Sequence, residues 1–245
     1  MNLSDALEAR GLVCVVGAGG KKTTLYALAD RLDRAIVTAT VRIPIFDEQV
    51  TSVEVTEKPR SYIQTASSWP LGLVPEQERE DRYRGYDPQT VAELADAHDG
   101  PTLVKADGAR TRWLKAPNER EPQLPATVDT VLPIASAKVV GKPLTEEFVH
   151  RPERVAALTD CEVGHELDCE AVATVLASDE GGLKGVPEGA TAVPVVNMVD
   201  DDGLATTAKK IARRVLAQTA DREFDVPRVV LTQMVADDPV VAVVK

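Results

Sequence analysis

An apolar run, Leu12-Val13-Cys14-Val15-Val16, passes directly into Gly17-Ala18-Gly19-Gly20-Lys21-Lys22-Thr23-Thr24 and then into a segment carrying Leu25, Leu28, Ala29 and Leu32. That order is strand, glycine turn, helix. A short continuous β-branched run suits a strand buried on both faces, and such strands belong to parallel sheets joined by helices. Glycines let the N–H groups of a turn point inward around an anion, and the start of the helix adds the positive end of its dipole. A lysine brings a point charge to phosphates, and a threonine hydroxyl can ligate Mg²⁺. The stretch predicts a nucleotide-phosphate cradle built from Gly17, Ala18, Gly19, Gly20, Lys21, Lys22, Thr23 and Thr24. The pattern G-x-x-x-x-G-K-[ST] is met only in part. If Lys22-Thr23 is the Lys-Thr pair, Lys21 stands where glycine is required. If Gly20-Lys21 is the Gly-Lys pair, Val15 replaces the first glycine and Lys22 the hydroxyl residue.

Further apolar runs repeat the alternation of strand and helix. Ala35–Thr40, Thr102–Ala106, Thr130–Ile134, Ala192–Val196 and Val229–Thr232 read as strands, with shorter ones at 53–55 and 69–74. Residues 3–10, 23–31, 88–98, 151–158, 170–178 and 204–220 read as helices, the first with Ser4 as a cap and the fourth-from-last with Pro88 in its opening turn. The stretch 114–125 holds three prolines and reads as a loop, as does the glycine-rich 181–189. The expected fold is α/β: a mainly parallel sheet with flanking helices, P-loop NTPase-like, forming one nucleotide-binding domain over residues 1–245 with excursions near 41–87 and 108–126.

In open parallel sheets, ligands bind beyond the carboxyl ends of the strands. Four of the expected strands end in polar groups: the glycine turn, then Thr38 and Thr40, then Asp107, then Asn197 and Asp200. Asp107 is placed to hold Mg²⁺ directly or through water, although an Asp-Gly turn after a strand is also ordinary. Asn197-Met198-Val199-Asp200 occupies the place of Asn-Lys-x-Asp in GTP-binding proteins, where the carboxylate reads guanine; the alternative is that the acidic run caps the following helix. Cys161, His165 and Cys169 recur at spacings of four, but with no fourth ligand they read as a loop entering a helix rather than a zinc site.

The formal net charge is −11, with 28 Lys and Arg against 39 Asp and Glu. That leaves no basic stripe for nucleic acid. Against this background Lys115, Lys142, His150 and Arg151 stand out as cations for an anionic second substrate. Three cysteines make no disulfide framework, the first ten residues are no signal peptide, and no apolar run has membrane-spanning length, so a cytoplasmic protein with no membrane partner is expected.

Four segments together resemble the YqeC family: Val16–Thr24; Ala106-Asp-Gly-Ala-Arg continuing to Leu114-Lys-Ala-Pro-Asn-Glu-Arg-Glu-Pro122; Gly141-Lys-Pro-Leu-Thr-Glu-Glu-Phe-Val-His-Arg-Pro152; and Gly181-Gly-Leu-Lys-Gly-Val-Pro187 followed by Asn197–Asp200. The family is described as accessory to selenium-dependent molybdenum hydroxylases. The resemblance implies a P-loop-like fold, handling of GTP or ATP with Mg²⁺, and a part in maturing the cofactor of a client molybdenum hydroxylase. This chain has Lys105 where the family pattern has glutamate before Ala-Asp-Gly, and a second lysine in the loop. On this reading Lys21, Lys22 and Asp107 are catalytic, Thr23 and Asp107 hold the metal, Thr38 and Thr40 lie on the γ-phosphate side, and Asn197 and Asp200 read the base. Two other readings fit the same residues: an accessory protein that binds nucleotide to dock a client, and a small-molecule kinase or nucleotidyltransferase.

Overall fold

The computed structural model describes residues 1–220 and 224–245. Its centre is a ten-stranded sheet formed by β1 (Leu12–Gly17), β2 (Ile36–Ala39), β3 (Ser52–Val55), β4 (Leu71–Val74), β5 (Thr102–Lys105), β6 (Thr130–Ser136), β7 (Thr191–Ala192), β8 (Val195–Asn197), β9 (Val229–Thr232) and β10 (Val240–Val244). The strand order is β10-β9-β8-β6-β1-β5-β2-β4-β3, with β7 also paired to β6. Every pairing is parallel except β9 with β10.

The helices are α1 (Leu3–Ala6), α2 (Lys21–Ala29), α3 (Pro59–Ile63), α4 (Pro88–Asp96), α5 (Pro152–Leu158), α6 (Cys169–Ala177) and α7 (Asp202–Thr219). Strand periodicity sorts them into two layers, because successive side chains leave opposite faces. From β1, Val13 and Val15 join Leu25 and Leu28 of α2 and Leu3 of α1 in one core. Leu12, Cys14 and Val16 face the other way, with Val91 and Leu94 of α4. On that same face Ala135, Val196 and Leu231 pack against α6 and α7. The fold is thus an α/β sandwich with helices on both faces of a mostly parallel sheet.

The strand ends depart from the sequence reading in places that have local causes. Pro194 lacks an N–H, and the run 192–196 divides into β7 and β8. The first helix is four residues, capped by the side chain of Asn2 rather than Ser4, since Asn2 Oδ1 accepts the Asp5 N–H at 2.8 Å. The proline-rich loop opens with a two-residue strand, Leu114–Lys115, that pairs in parallel with Val149–His150. Within the excursion 41–87, Ile43–Pro44, Arg82–Tyr83 and Gln77–Arg79 make a small antiparallel sheet. The C-terminal strand β10 was not expected from the sequence. Asp168 caps α6 by accepting the Ala171 N–H at 2.8 Å; Cys161 and His165 lie in the loop before that helix, and Cys169 is its first residue. Among the described residues no helix is long and apolar enough to cross a membrane.

Candidate functional site: a basic cavity over the glycine turn

The carboxyl ends of β1, β2, β5 and β8 open toward one cavity of about 960 Å³. Its floor is the start of α2. Gly17, Gly19 and Gly20 have φ of +87°, +90° and +129°. A Cβ on Gly17 would lie 2.4 Å from the Ile134 carbonyl oxygen, and one on Gly20 2.2 Å from the Asn197 amide nitrogen, so glycine is required by both backbone and space. The turn is tied down rather than open: the Gly17 N–H donates to Asp107 (2.9 Å), Ala18 to the Ile134 carbonyl (2.8 Å) and Gly19 to the Arg112 carbonyl (2.9 Å). The first turn of α2 differs. Its N-cap is Gly20, with no side-chain cap, and Lys22 and Thr23 face the cavity. The N–H groups free for an anion are those of the helix start.

The two lysines behave differently. Lys22 lies at the cavity wall with no carboxylate partner among the described residues. Lys21 turns back into the protein, donating to the Gly17 carbonyl and pairing with Asp107 at 3.0 Å. Burial lowers its pKa, opposed chiefly by Asp107. Asp107 is 1% exposed and also meets Lys115 at 2.8 Å; Lys115 continues to Glu121 at 2.9 Å, and Glu121 to Arg151 at 2.7 Å. Burial alone would raise the Glu121 carboxyl, but Lys115 and Arg151 hold it down to about 2.

Sequence-predicted residues fall on both sides of the cavity boundary. Gly19, Gly20, Lys21, Lys22, Thr23, His150 and Arg151 line it. Thr24 does not; its hydroxyl donates to the Gly20 carbonyl at 3.1 Å. Thr38 and Thr40 are buried, donating to the carbonyls of Leu73 and Gln123 at 2.7 Å each, so they brace neighbouring chain rather than face a γ-phosphate. Asn197 lies beneath the loop: its amide donates to the Gly19 carbonyl (2.8 Å) and its oxygen accepts from Thr232 (3.0 Å) and the Met234 N–H (3.2 Å). Asp200 pairs with Lys138. Asp201, not Asp200, caps α7 through the Leu204 N–H at 2.8 Å. Lys115 is wholly buried in the ion-pair chain, and Lys142 sits over the Phe148 ring, outside the cavity. Asp107 is not among the residues lining the cavity: its Oδ2 pairs with Lys115 and accepts the Gly17 N–H, while its Oδ1, 3.0 Å from the Lys21 ammonium, makes no hydrogen bond among the described residues.

The sequence reading missed much of the wall. Arg42, Arg82, Lys105, Arg110 and Arg112 join Lys21, Lys22 and Arg151 to give eight Lys or Arg around one cavity, against one acid, Glu121. Only Arg110-Thr111-Arg112, directly after the Asp107-Gly108 turn, could have signalled this; Arg42 and Arg82 arrive from the small antiparallel sheet. Backbone strain gathers here too. Arg110 (φ +47°), Thr111 (+60°), Arg151 (+65°) and Met198 (+61°) are non-glycine residues in the left-handed region, and all four line the cavity. Such conformations cost about 1–3 kcal/mol each and gather at functional sites. Burial, reinforced by Arg151 and Lys115, lowers the His150 pKa to about 4, so its imidazole is neutral at pH 7.

The sequence model of the YqeC protein family matches residues 13–153. The chain belongs to the YqeC family. That span includes every cavity-lining residue except Met198. A YqeC relative from Escherichia coli (strain K12), described as "Uncharacterized protein YqeC", is 25% identical over 193 residues, covering 76% of this chain and 75% of its own length. No solved structure matches this YqeC chain.

Proposed function

We propose that this protein binds the polyphosphate of a nucleotide, GTP or ATP, in the basic cavity and uses it in maturing the cofactor of a selenium- or molybdenum-dependent hydroxylase. One observation carries the binding step: a chain of net charge −11 gathers eight Lys or Arg around a single cavity at the uncapped start of α2. Such a field selects anions and speeds their arrival. The strand–glycine turn–helix unit and the insertion of β5 between β1 and β2 support a P-loop NTPase-like fold. The maturation role rests on the family resemblance alone.

In this reading Lys22 and the N–H groups of the first turn of α2 bind phosphate oxygens. Lys21 and Asp107 fix the turn. Mg²⁺ supplies charge neutralisation when it arrives with the nucleotide, and the Thr23 hydroxyl, at the cavity wall, is the side chain here that suits it. Asp107, set behind the cavity lining between Lys21 and Lys115, holds the two lysines in place. Arg110, Arg112 and Arg151 add cations from outside α2 to the cavity wall. That wall favours a transferase with an anionic acceptor over an accessory protein that only docks a client. Positioning and charge stabilisation would supply the rate.

Titration calorimetry with ATP and GTP, with and without Mg²⁺, tests the binding step. Saturable binding that weakens with added salt and is lost in Lys22→Ala is the expected result. A folded protein that binds neither nucleotide overturns it. Release of ADP, GDP or pyrophosphate only in the presence of an acceptor would separate transfer from docking.

A further inference from the structure

A second cavity of about 680 Å³ adjoins the basic one, and Lys22 and Thr23 line both. It follows one side of α2 past Tyr26 and Ala27 to Asp30, a rise of roughly 12 Å at 1.5 Å per residue. That leaves room for a sugar and a base beyond a phosphate held at the first turn. The other walls are the chain around the 3₁₀ turn Asp47–Gln49 and the loop between β9 and β10. Arg31 ties helix to loop, its guanidinium donating to the carbonyls of Ala27 and Asp237 at 3.0 Å each. The groove is therefore built by the chain itself.

The two cavities differ in charge. The first has eight Lys or Arg and one acid; the second has two cations, Lys22 and Arg31, and three acids, Asp30, Glu48 and Asp237. Arg31 is engaged by the two carbonyls and lies 3.7 Å from Asp30. Among the described residues the side chains of Glu48 and Asp237 make no hydrogen bond or ion pair, and the Tyr26 hydroxyl has no partner. Apolar surface stands beside them: Ile45 and Met234 line the groove, as does Val235, which is 81% exposed. A polyphosphate is repelled by such a surface. A flat neutral group with N–H donors suits it, its faces against the apolar side chains and its donors on the carboxylates. Asn197 and Asp200, the base readers expected from the sequence, are engaged beneath the glycine turn and with Lys138.

We propose that this groove is the nucleoside subsite of the nucleotide site and that it selects guanine: the phosphates lie in the basic cavity, the ligand crosses Lys22 and Thr23, and the carboxylates of Glu48 and Asp237 accept N–H donors of the base. This rests on the basic cavity being the polyphosphate site. Guanine carries two adjacent donors on its pairing edge, the N1–H and the 2-amino group, where adenine has only the 6-amino group. An acidic groove therefore favours guanine.

The probes are GTP, ATP and inorganic tripolyphosphate, titrated calorimetrically into wild type, Ala27→Phe and the double variant Glu48→Gln/Asp237→Asn. Wild type should bind GTP about ten- to a hundredfold more tightly than ATP. The double variant alters two exposed side chains and should fold as wild type does. It should lose the preference; the ratio of the two affinities is the readout, because the removed charge acts alike on both polyphosphates. Ala27→Phe fills the groove beside Tyr26 and should weaken GTP at least about tenfold while tripolyphosphate binds as before, which also shows that the variant is folded. Equal affinity of wild type for GTP and ATP, a preference kept by the double variant, or unchanged binding of both GTP and tripolyphosphate by Ala27→Phe would each overturn the groove while nucleotide binding itself stands. Tripolyphosphate bound without either nucleotide overturns the groove and the nucleotide reading together and keeps the anion cavity. Failure of all three probes to bind the folded protein overturns the cavity as well.

Discussion

Replacing Asp107 by Asn separates a positioning role from a metal-binding one. In the structure the carboxylate meets Lys21 at 3.0 Å and Lys115 at 2.8 Å and accepts the Gly17 N–H at 2.9 Å. An amide keeps an acceptor for Gly17 but removes the charge, and turns donor hydrogens toward ammonium groups. Lys115 retains Glu121 at 2.9 Å; Lys21 is left with the Gly17 carbonyl. Breaking a buried pair costs about 3–5 kcal/mol, and the surviving Lys115–Glu121 contact places this case near 3 kcal/mol. For a chain of this length each kcal/mol moves Tm by about 2–4 °C, so scanning calorimetry without ligand should show a fall of roughly 6–12 °C. Adding Lys21→Met to Asp107→Asn should recover part of the loss, because the orphaned charge is gone and the two sites are coupled. A Tm for Asp107→Asn within about 2 °C of wild type would refute the reasoning, since a carboxylate held by two ammonium groups cannot be neutralised so cheaply.

Other expectations follow from the same geometry. Lys22→Ala should leave stability within about 0.5 kcal/mol while removing anion binding, whereas Lys21→Ala should lower Tm; equal melting of the two variants would show that the lysines are not divided between ligand and framework. Asn197→Ala removes the amide beneath Gly19 and leaves buried groups unpaired, so it should cost about 1–3 kcal/mol in urea unfolding and leave the ratio of ATP to GTP affinity unchanged; a changed ratio would restore Asn197 as a base reader. His150, with a folded pKa of about 4 against an ordinary value near 6.5, is unprotonated in the fold where the unfolded chain already binds a proton. Stability should therefore drop as pH falls from about 6.5 toward 4, and His150→Asn should reduce that drop; its imidazole NMR shifts should stay flat from pH 8 to 5.

The parts of the site carried by consecutive residues were legible in the sequence. The Val-rich run, the glycines and the lysines that follow them specify β1, the turn and α2 through local chemistry, and the structure has all three. The cationic wall was not legible, because its members come from six separate stretches of a chain whose overall charge is acidic. Thr38, Thr40 and Asn197 were marked for the right reason, being polar at strand ends, but a strand end also has carbonyl and amide groups of its own to satisfy. Their side chains serve those groups at 2.7 Å, 2.7 Å and 2.8 Å. Strand β10 escaped notice because Val240–Val244 is a short apolar run at the chain's end that reads as strand only once β9 is there to pair with it.

The position of β1 has a consequence for how the protein comes into being. The neighbours of this strand in the sheet, β5 and β6, are synthesised about ninety and more residues after it, and the glycine turn rests on Ile134, Arg112 and Asn197. Contacts of such separation form late and slowly. A nascent chain halted at the end of the family match, residue 153, would carry nearly every residue of the cavity wall but lack the amide that props up the loop. Anion binding would then report completion of the chain through β8, and a ligand present during synthesis would stabilise only molecules that had reached that length.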